Sequence, residues 1–157
     1  MGRNELALIG EIQKTVSLLE EVRSFYVGIQ QNELQQLGKT RATALIVAQV
    51  LENYYTCLET LFLRISQYFE NSLLKNKWHS DLLDKMILDI EGIRPPVVSS
   101  KTYKNLRELM RFRHFKRYYF ELDYDWKKLD YLIVCMEESD AQIDVELINF
   151  KHLLAAL

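Results

Sequence analysis

The chain has 157 residues, 48% of them hydrophobic, and a formal net charge of −2. This length suits one domain with its own core, so we expect a single domain over residues 1–157. The apolar fraction excludes a disordered chain, and the small net charge excludes a surface that is basic throughout. Any contact with RNA or DNA must therefore come from a local patch.

Cysteine spacing and the N-terminus indicate a cytoplasmic protein. Cys57 and Cys135 both lie in apolar helical patterns, which predicts two buried, reduced thiols. No Cys/His spacing resembles a zinc site, so we expect no metal, and we expect no cofactor either. The N-terminus has no apolar run typical of a signal peptide, and no run in the chain is long enough to cross a membrane.

Apolar spacing predicts two long helices in the first half of the chain. The first runs from about residue 4 to residue 37 and ends at Gly38. The second runs from about residue 40 to residue 74 and has apolar residues on two faces. A helix of this kind usually lies at the centre of a bundle.

Three further helices are predicted in the second half. A short one covers residues 80–90, with Ser80 as its N-cap, and it ends before the Pro95-Pro96 pair. The fourth starts between residues 99 and 102. The fifth follows Asp125 as its N-cap and runs to the end of the chain.

The fifth predicted helix has an acidic outer face. Its members are Glu137, Glu138, Asp140, Asp144 and Glu146. Long helices with short connections predict an all-α fold, an up-and-down antiparallel bundle of about five helices.

The fourth predicted helix concentrates positive charge. Residues 101–117 hold seven Lys or Arg and one acid, Glu108, a local charge of +6 that leaves −8 for the rest of the chain. Like charges so close together repel unless an anion lies among them. Two anions remain possible: the acidic fifth helix, or the phosphate backbone of a nucleic acid.

Helical geometry places four chemically capable side chains within roughly 60° of one another on this helix. They are Arg107, Arg111, His114 and Tyr118. Arginine binds phosphate through a planar fork, and histidine transfers protons near neutral pH. With tyrosine as a helper, this set can cleave RNA without a metal. The candidate RNA-binding residues are Lys104, Arg111, Lys116 and Arg117.

The segment RPPVVSSKTYKNLRELMRFRHFKRYYFELDYDWKKLDYLI resembles the HEPN superfamily, in particular the HepT-like proteins of prokaryotic toxin–antitoxin pairs. The resemblance covers the whole helical layout and is most specific over residues 94–126. It implies a HEPN-like dimeric bundle and a metal-independent endoribonuclease acting on tRNA or mRNA. In this family an Arg and a His, with four to six residues between them, line an RNA cleft at the dimer interface.

The resemblance also implies a partner. HepT toxins of type VII systems are typically encoded beside a nucleotidyltransferase antitoxin, MntA, which can AMPylate a tyrosine next to the active site. In this sequence the candidates for that modification are Tyr118 and Tyr119.

Two registers of the family motif fit the sequence. In the first, Arg113 is the motif arginine and His114 the polar residue that follows it, which leaves Tyr118 in the histidine position and Phe120 in the tyrosine position. In the second, Arg107 is followed by six residues and then His114. Both registers remain open, with Arg107, Arg113, His114 and Tyr118 as the candidate catalytic residues.

Three hypotheses follow. The first is a HepT-like ribonuclease toxin that acts as a homodimer. The second is a degenerate binding module that holds RNA or a nucleotidyltransferase without cutting a bond. The third is a structural bundle in which the basic fourth helix pairs with the acidic fifth helix.

Overall fold

The structure is a computed structural model that describes residues 2–70, 78–118 and 122–157, with side chains from residue 82 onward in the second range. These residues form six α-helices. Their bounds are α1 Arg3–Gln31, α2 Glu33–Leu37, α3 Arg41–Phe69, α4 Trp78–Met86, α5 Ser100–Tyr118 and α6 Trp126–Ala155.

The four long helices form an up-and-down antiparallel bundle, as predicted. A short connection joins the end of α1 to the start of α3, and Glu5 at the other end of α1 lies beside Tyr68 of α3. In the same way, the backbone N–H of Ser99, just before α5, reaches Glu146 in the second half of α6. Long helices that follow one another in the chain therefore run in opposite directions.

Helix α3 lies at the centre of the bundle, which confirms the inference from its two apolar faces. It contacts every other described helix, whereas α1 and α5 lie on opposite sides of the described bundle without touching. Tyr54, Tyr55 and Phe62 of α3 are fully buried. Burial on two sides explains why α3 needs apolar residues on two faces.

The predicted first helix is interrupted at Asn32, so its single span from residue 4 to residue 37 is wrong. The side-chain amide of Asn32 donates a hydrogen bond of 2.9 Å to the carbonyl of Gly28, which also accepts the Asn32 backbone N–H at 3.0 Å. Asparagine side chains compete in this way with helical bonding. The short helix α2 then ends at Gly38, whose φ of 71° suits glycine.

The short helix α4, which corresponds to the third predicted helix, differs from its prediction at both ends. Ser80 lies inside α4 and is not its N-cap. The helix ends at Met86, because the Met86 carbonyl accepts the N–H groups of Val97 and Val98, at 2.8 and 3.2 Å, from the loop before α5. Residues 71–74 of the predicted second helix lie outside the described part of the chain.

The outer face of α6 is acidic only in part: Glu137 and Glu138 are exposed as predicted, whereas the other three acids are partly covered. Asp140 and Asp144 turn toward α1, where both pair with Arg23, and Glu146 turns toward α5. Helix α6 also exposes several large apolar side chains: Tyr131, Val134, Val145 and Ile148. Most of the negative charge of α6 therefore stabilises contacts between helices.

The two cysteines form no disulfide. Cys135 is buried as predicted, whereas Cys57 is only half-buried. Burial raises the pKa of both thiols, which keeps them protonated at neutral pH. Among the described helices, none is long and apolar enough to span a bilayer.

A buried arginine fastens the loop between α4 and α5. The side chain of Arg94 is 0% exposed and pairs with Glu70 at 2.6 Å. Its remaining N–H groups donate to the carbonyls of Lys85, Leu88 and Pro95 at 2.9, 3.3 and 3.3 Å. Because each donor has an acceptor, the buried charge is compensated and holds the loop against the end of α3.

Replacing this arginine should destabilise the fold strongly. Arg94→Met leaves Glu70 partly uncompensated and three carbonyls without their donor, so the free energy of unfolding should fall by about 3 kcal/mol. Urea denaturation measures this change. The matched control is Arg64→Met on an exposed position of α3, which should change stability by no more than about 0.5 kcal/mol. Equal effects of the two substitutions would contradict the assigned role.

The same network predicts a dependence of stability on pH. Burial raises the pKa of Glu70, but hydrogen bonds from Ser66 and Arg94 and the charges of Arg94 and Lys85 outweigh it and hold the pKa below its usual value. A lowered carboxyl pKa stabilises the fold above the unfolded-state pKa, and this contribution is lost as pH falls through the folded-state pKa. Glu70→Gln should therefore flatten the acid side of a plot of unfolding free energy against pH.

Candidate functional site

The basic helix α5 is fixed at its start by a carboxylate of α6. The Ser99 side chain caps the helix by accepting the Thr102 N–H at 3.2 Å. Glu146 accepts the Ser99 N–H and the Thr102 hydroxyl, both at 2.7 Å. An anion at a helix N-terminus complements the helix dipole, so this contact stabilises and orients α5.

Two cations of α5 point inward and pair with α3. Arg113 donates to the Thr56 hydroxyl at 2.7 Å and pairs with Glu59 at 3.1 Å. Lys116, one turn further along, pairs with Glu52. We call these two ion pairs, Arg113–Glu59 and Lys116–Glu52, the α3–α5 clamp. Because both lie on the same side of α5, they prevent the helix from rotating about its axis.

The opposite side of α5 presents four side chains to solvent. This outward face consists of Arg107, Arg111, His114 and Tyr118, all of which are exposed. The rings of His114 and Tyr118 lie in contact, with centroids 4.7 Å apart, and Arg111 reaches Glu108 at 3.5 Å. The structure thus brings the four residues of the predicted face together, and it separates them from Arg113.

The other candidate RNA-binding residues divide between the two sides. Lys104 and Arg117 are exposed beside the outward face, with the Arg117 guanidinium 5.9 Å from the centre of the Tyr118 ring. Lys116 belongs to the clamp and is largely covered. Tyr119 and Phe120 lie outside the described residues.

Tyr103 is a neighbour of the outward face that the sequence analysis missed. Its hydroxyl donates to Asp84 of α4 at 2.5 Å. This hydrogen bond and partial burial raise the pKa of Tyr103, while the charges of Arg107 and Arg111 act in the opposite direction, so both arginines lie nearby. The spacing of four residues between Tyr103 and Arg107 was the available signal.

The acidic residues of α6 do not neutralise α5. Within the described residues, no ion pair joins a Lys or Arg of α5 to an acid of α6; those of α5 go to α3 and to its own Glu108. The third hypothesis, a basic helix paired with the acidic helix, therefore does not describe this bundle. The described residues also contain no group of three His, Cys, Asp or Glu placed to hold a metal ion.

The basic helix and its clamp lie within a segment that matches a known family. The sequence model described as HepT-like protein matches residues 46–154, more than half of the chain. The chain belongs to the HepT-like family. This confirms the resemblance to HepT-like proteins of the HEPN superfamily and makes the chain a HEPN-type, toxin-related protein.

The match places the family relationship on α3 to α6. It begins within α3, before the clamp residues, and ends near the end of α6, so it leaves α1 and α2 outside. No curated protein and no solved structure matches this HepT-like chain significantly.

Removing the Glu146 carboxylate should loosen the start of α5. Glu146→Ala takes away the acceptor for one backbone N–H and for the buried Thr102 hydroxyl, so the unfolding free energy should fall by about 1–2 kcal/mol. Urea denaturation measures the loss. Glu137→Ala, on the exposed side of the same helix, is the matched control and should have little effect. Equal stability of the two variants would contradict the capping role.

Proposed function

We propose that this HepT-like protein is a toxin of a type VII toxin–antitoxin system, a metal-independent endoribonuclease that acts on tRNA or mRNA. The observation that supports this most is the outward face of α5, which joins two arginines, an imidazole and a phenol on one exposed surface. No ion pair with α6 offsets these charges among the described residues. A phosphate backbone supplies the missing anion.

In this proposal the outward face performs phosphoryl transfer within the RNA chain. His114 accepts the proton of a ribose 2′-hydroxyl, whose oxygen attacks the adjacent phosphorus, and the bond from phosphorus to the 5′-oxygen breaks. Arg107 and Arg111 bind the phosphate oxygens and stabilise the negative charge that develops on them. Tyr118, in ring contact with His114, orients the imidazole. This arrangement uses the register of Arg107 and His114.

The chemistry also favours a homodimer. RNA cleavage of this kind needs both a base and an acid, the acid protonating the leaving 5′-oxygen. The outward face of one chain contains one histidine, His114. A second copy facing the first would supply the second proton-transfer group, so we propose that the cleft lies between two copies of this single-domain cytoplasmic protein.

A nucleotidyltransferase antitoxin of the MntA type is the partner we propose. Tyr118 is 60% exposed, and its hydroxyl has no hydrogen bond to another described residue. AMPylation there would place a phosphate beside His114 and Arg117 and would block the face to RNA. Tyr119, the other candidate, remains a prediction.

A second candidate function is a non-cleaving module that binds RNA or the nucleotidyltransferase. Two observations favour it. Tyr118 stands in the histidine position of the first register, and Arg113, the motif arginine of that register, is held by Glu59. If the first register is the functional one, the site lacks its histidine, and its arginine, Arg113, is bound to Glu59 and not to RNA.

Cleavage should depend on His114. Induced expression of the wild-type chain without a partner gene should arrest growth and fragment cellular RNA, and His114→Ala should abolish both effects, because it removes the proton-transfer group. The matched control is His152→Ala, an exposed histidine in the last turn of α6, which should behave as wild type. Growth curves and total RNA on a gel provide the measurement.

Two other outcomes would change the assignment. Fragmentation that persists in His114→Ala would contradict the second register and place catalysis elsewhere. Intact RNA with the wild-type chain, together with RNA binding by the purified protein, would support the non-cleaving module.

A further inference from the structure

We propose that Glu59 of α3 is a positioning residue that keeps Arg113 away from RNA, so that Arg107 and Arg111 make the phosphate contacts. This inference rests on the proposed function, since it concerns which arginines of α5 face the RNA. It adds a role for a residue on a different helix, which the motif on α5 does not include.

The geometry around Arg113 resembles a buried ion pair more than a surface contact. Its side chain is 15% exposed and that of Glu59 is 7% exposed, with 3.1 Å between the guanidinium and the carboxylate. The Nε–H is used as well, in a hydrogen bond of 2.7 Å to Thr56. By contrast, the side chain of Arg111 is 56% exposed.

Tyr55, a neighbour of the ion pair, offers no substitute for the charge of Glu59. Tyr55 is fully buried next to the pair, and its hydroxyl has no hydrogen-bond partner among the described residues. Burial, followed by the charge of Glu59, raises the pKa of Tyr55 well above its usual value, so it stays a neutral phenol. A buried guanidinium without its carboxylate is strongly unfavourable, so Arg113 would have to turn to solvent if Glu59 were removed.

In this proposal the clamp favours the second register, that of Arg107 and His114. While Glu59 holds Arg113, the arginines that can reach a phosphate beside His114 are those of the outward face and Arg117 beside it. Releasing Arg113 would add a cation at the edge of that face and raise by about one the number of phosphates neutralised.

The first test measures RNA affinity against salt concentration, using a single-stranded oligoribonucleotide and purified protein. Each phosphate contact contributes about 0.7 to the slope of log affinity against log salt. Arg107→Met should reduce the slope by about that amount, whereas Arg113→Met should leave it at the wild-type value. Glu59→Leu should steepen it by about 0.7, and the double variant Glu59→Leu/Arg113→Met should restore it.

The double variant also distinguishes a positioning role of Glu59 from a role in stability alone. Removing either member of the buried pair leaves an uncompensated charge and should lower stability, whereas replacing both with apolar residues should recover most of the loss. A role in stability alone would leave the salt slope of Glu59→Leu unchanged, and that result would overturn the proposal. A reduced slope in Arg113→Met would overturn it too.

A second measurement, which needs no RNA, tests whether Glu59 keeps Arg113 inaccessible. Phenylglyoxal labels accessible guanidinium groups, and mass spectrometry identifies the labelled arginines. In the wild-type chain Arg107 and Arg111 should be labelled and Arg113 protected; in Glu59→Leu, Arg113 should become reactive. Labelling of Arg113 in the wild type, or its protection in Glu59→Leu, would refute the role of Glu59. Absence of any RNA binding with the expected labelling would instead refute the proposed function alone.

Discussion

The ion pair between Arg113 and Glu59 sets the orientation of α5, and the character of the basic surface depends on that orientation. Glu59 is largely buried on α3, and a buried carboxylate requires a cation in contact. Arg113 meets this requirement, and one turn later along α5 Lys116 pairs with the half-buried Glu52. With both cations bound to the central helix, α5 cannot rotate, and its remaining charged side chains must face solvent.

Helix α6 contributes in a different way from the one its charge suggests. Its carboxylates bind Arg23 of α1 and the start of α5, so they hold the bundle together at defined points. Among the described residues they form no ion pair with the outward face of α5, whose Arg111 pairs with Glu108 of its own helix. The local excess of positive charge is therefore available for an external phosphate, which links the packing of this HepT-like bundle to its proposed contact with RNA.

Periodicity alone predicted the features that depend on one helix. The two apolar faces of α3 correctly predicted its central position. The Asp125 side chain caps α6 as expected, by accepting the Lys127 N–H. The residues of the outward face of α5 were grouped correctly from their angles around the helix axis. Periodicity failed for two kinds of contact: those with a residue distant in sequence, and local hydrogen bonds made by side chains. A helical wheel gives the angle between two side chains but not which helix lies opposite, so it missed Glu59 behind Arg113. The break at Asn32 depends on a side-chain hydrogen bond that periodicity does not detect.

The most direct test of this account is an NMR titration that follows the Nε–H signals of the arginines as RNA is added. The central claim is that carboxylates of α3 divide the cations of α5 into a structural set and an RNA-binding set. The account predicts that the signals of Arg107 and Arg111 shift with increasing RNA, while that of Arg113 stays in place in its bond to Thr56. A shift of the Arg113 signal equal to that of Arg107 would contradict it.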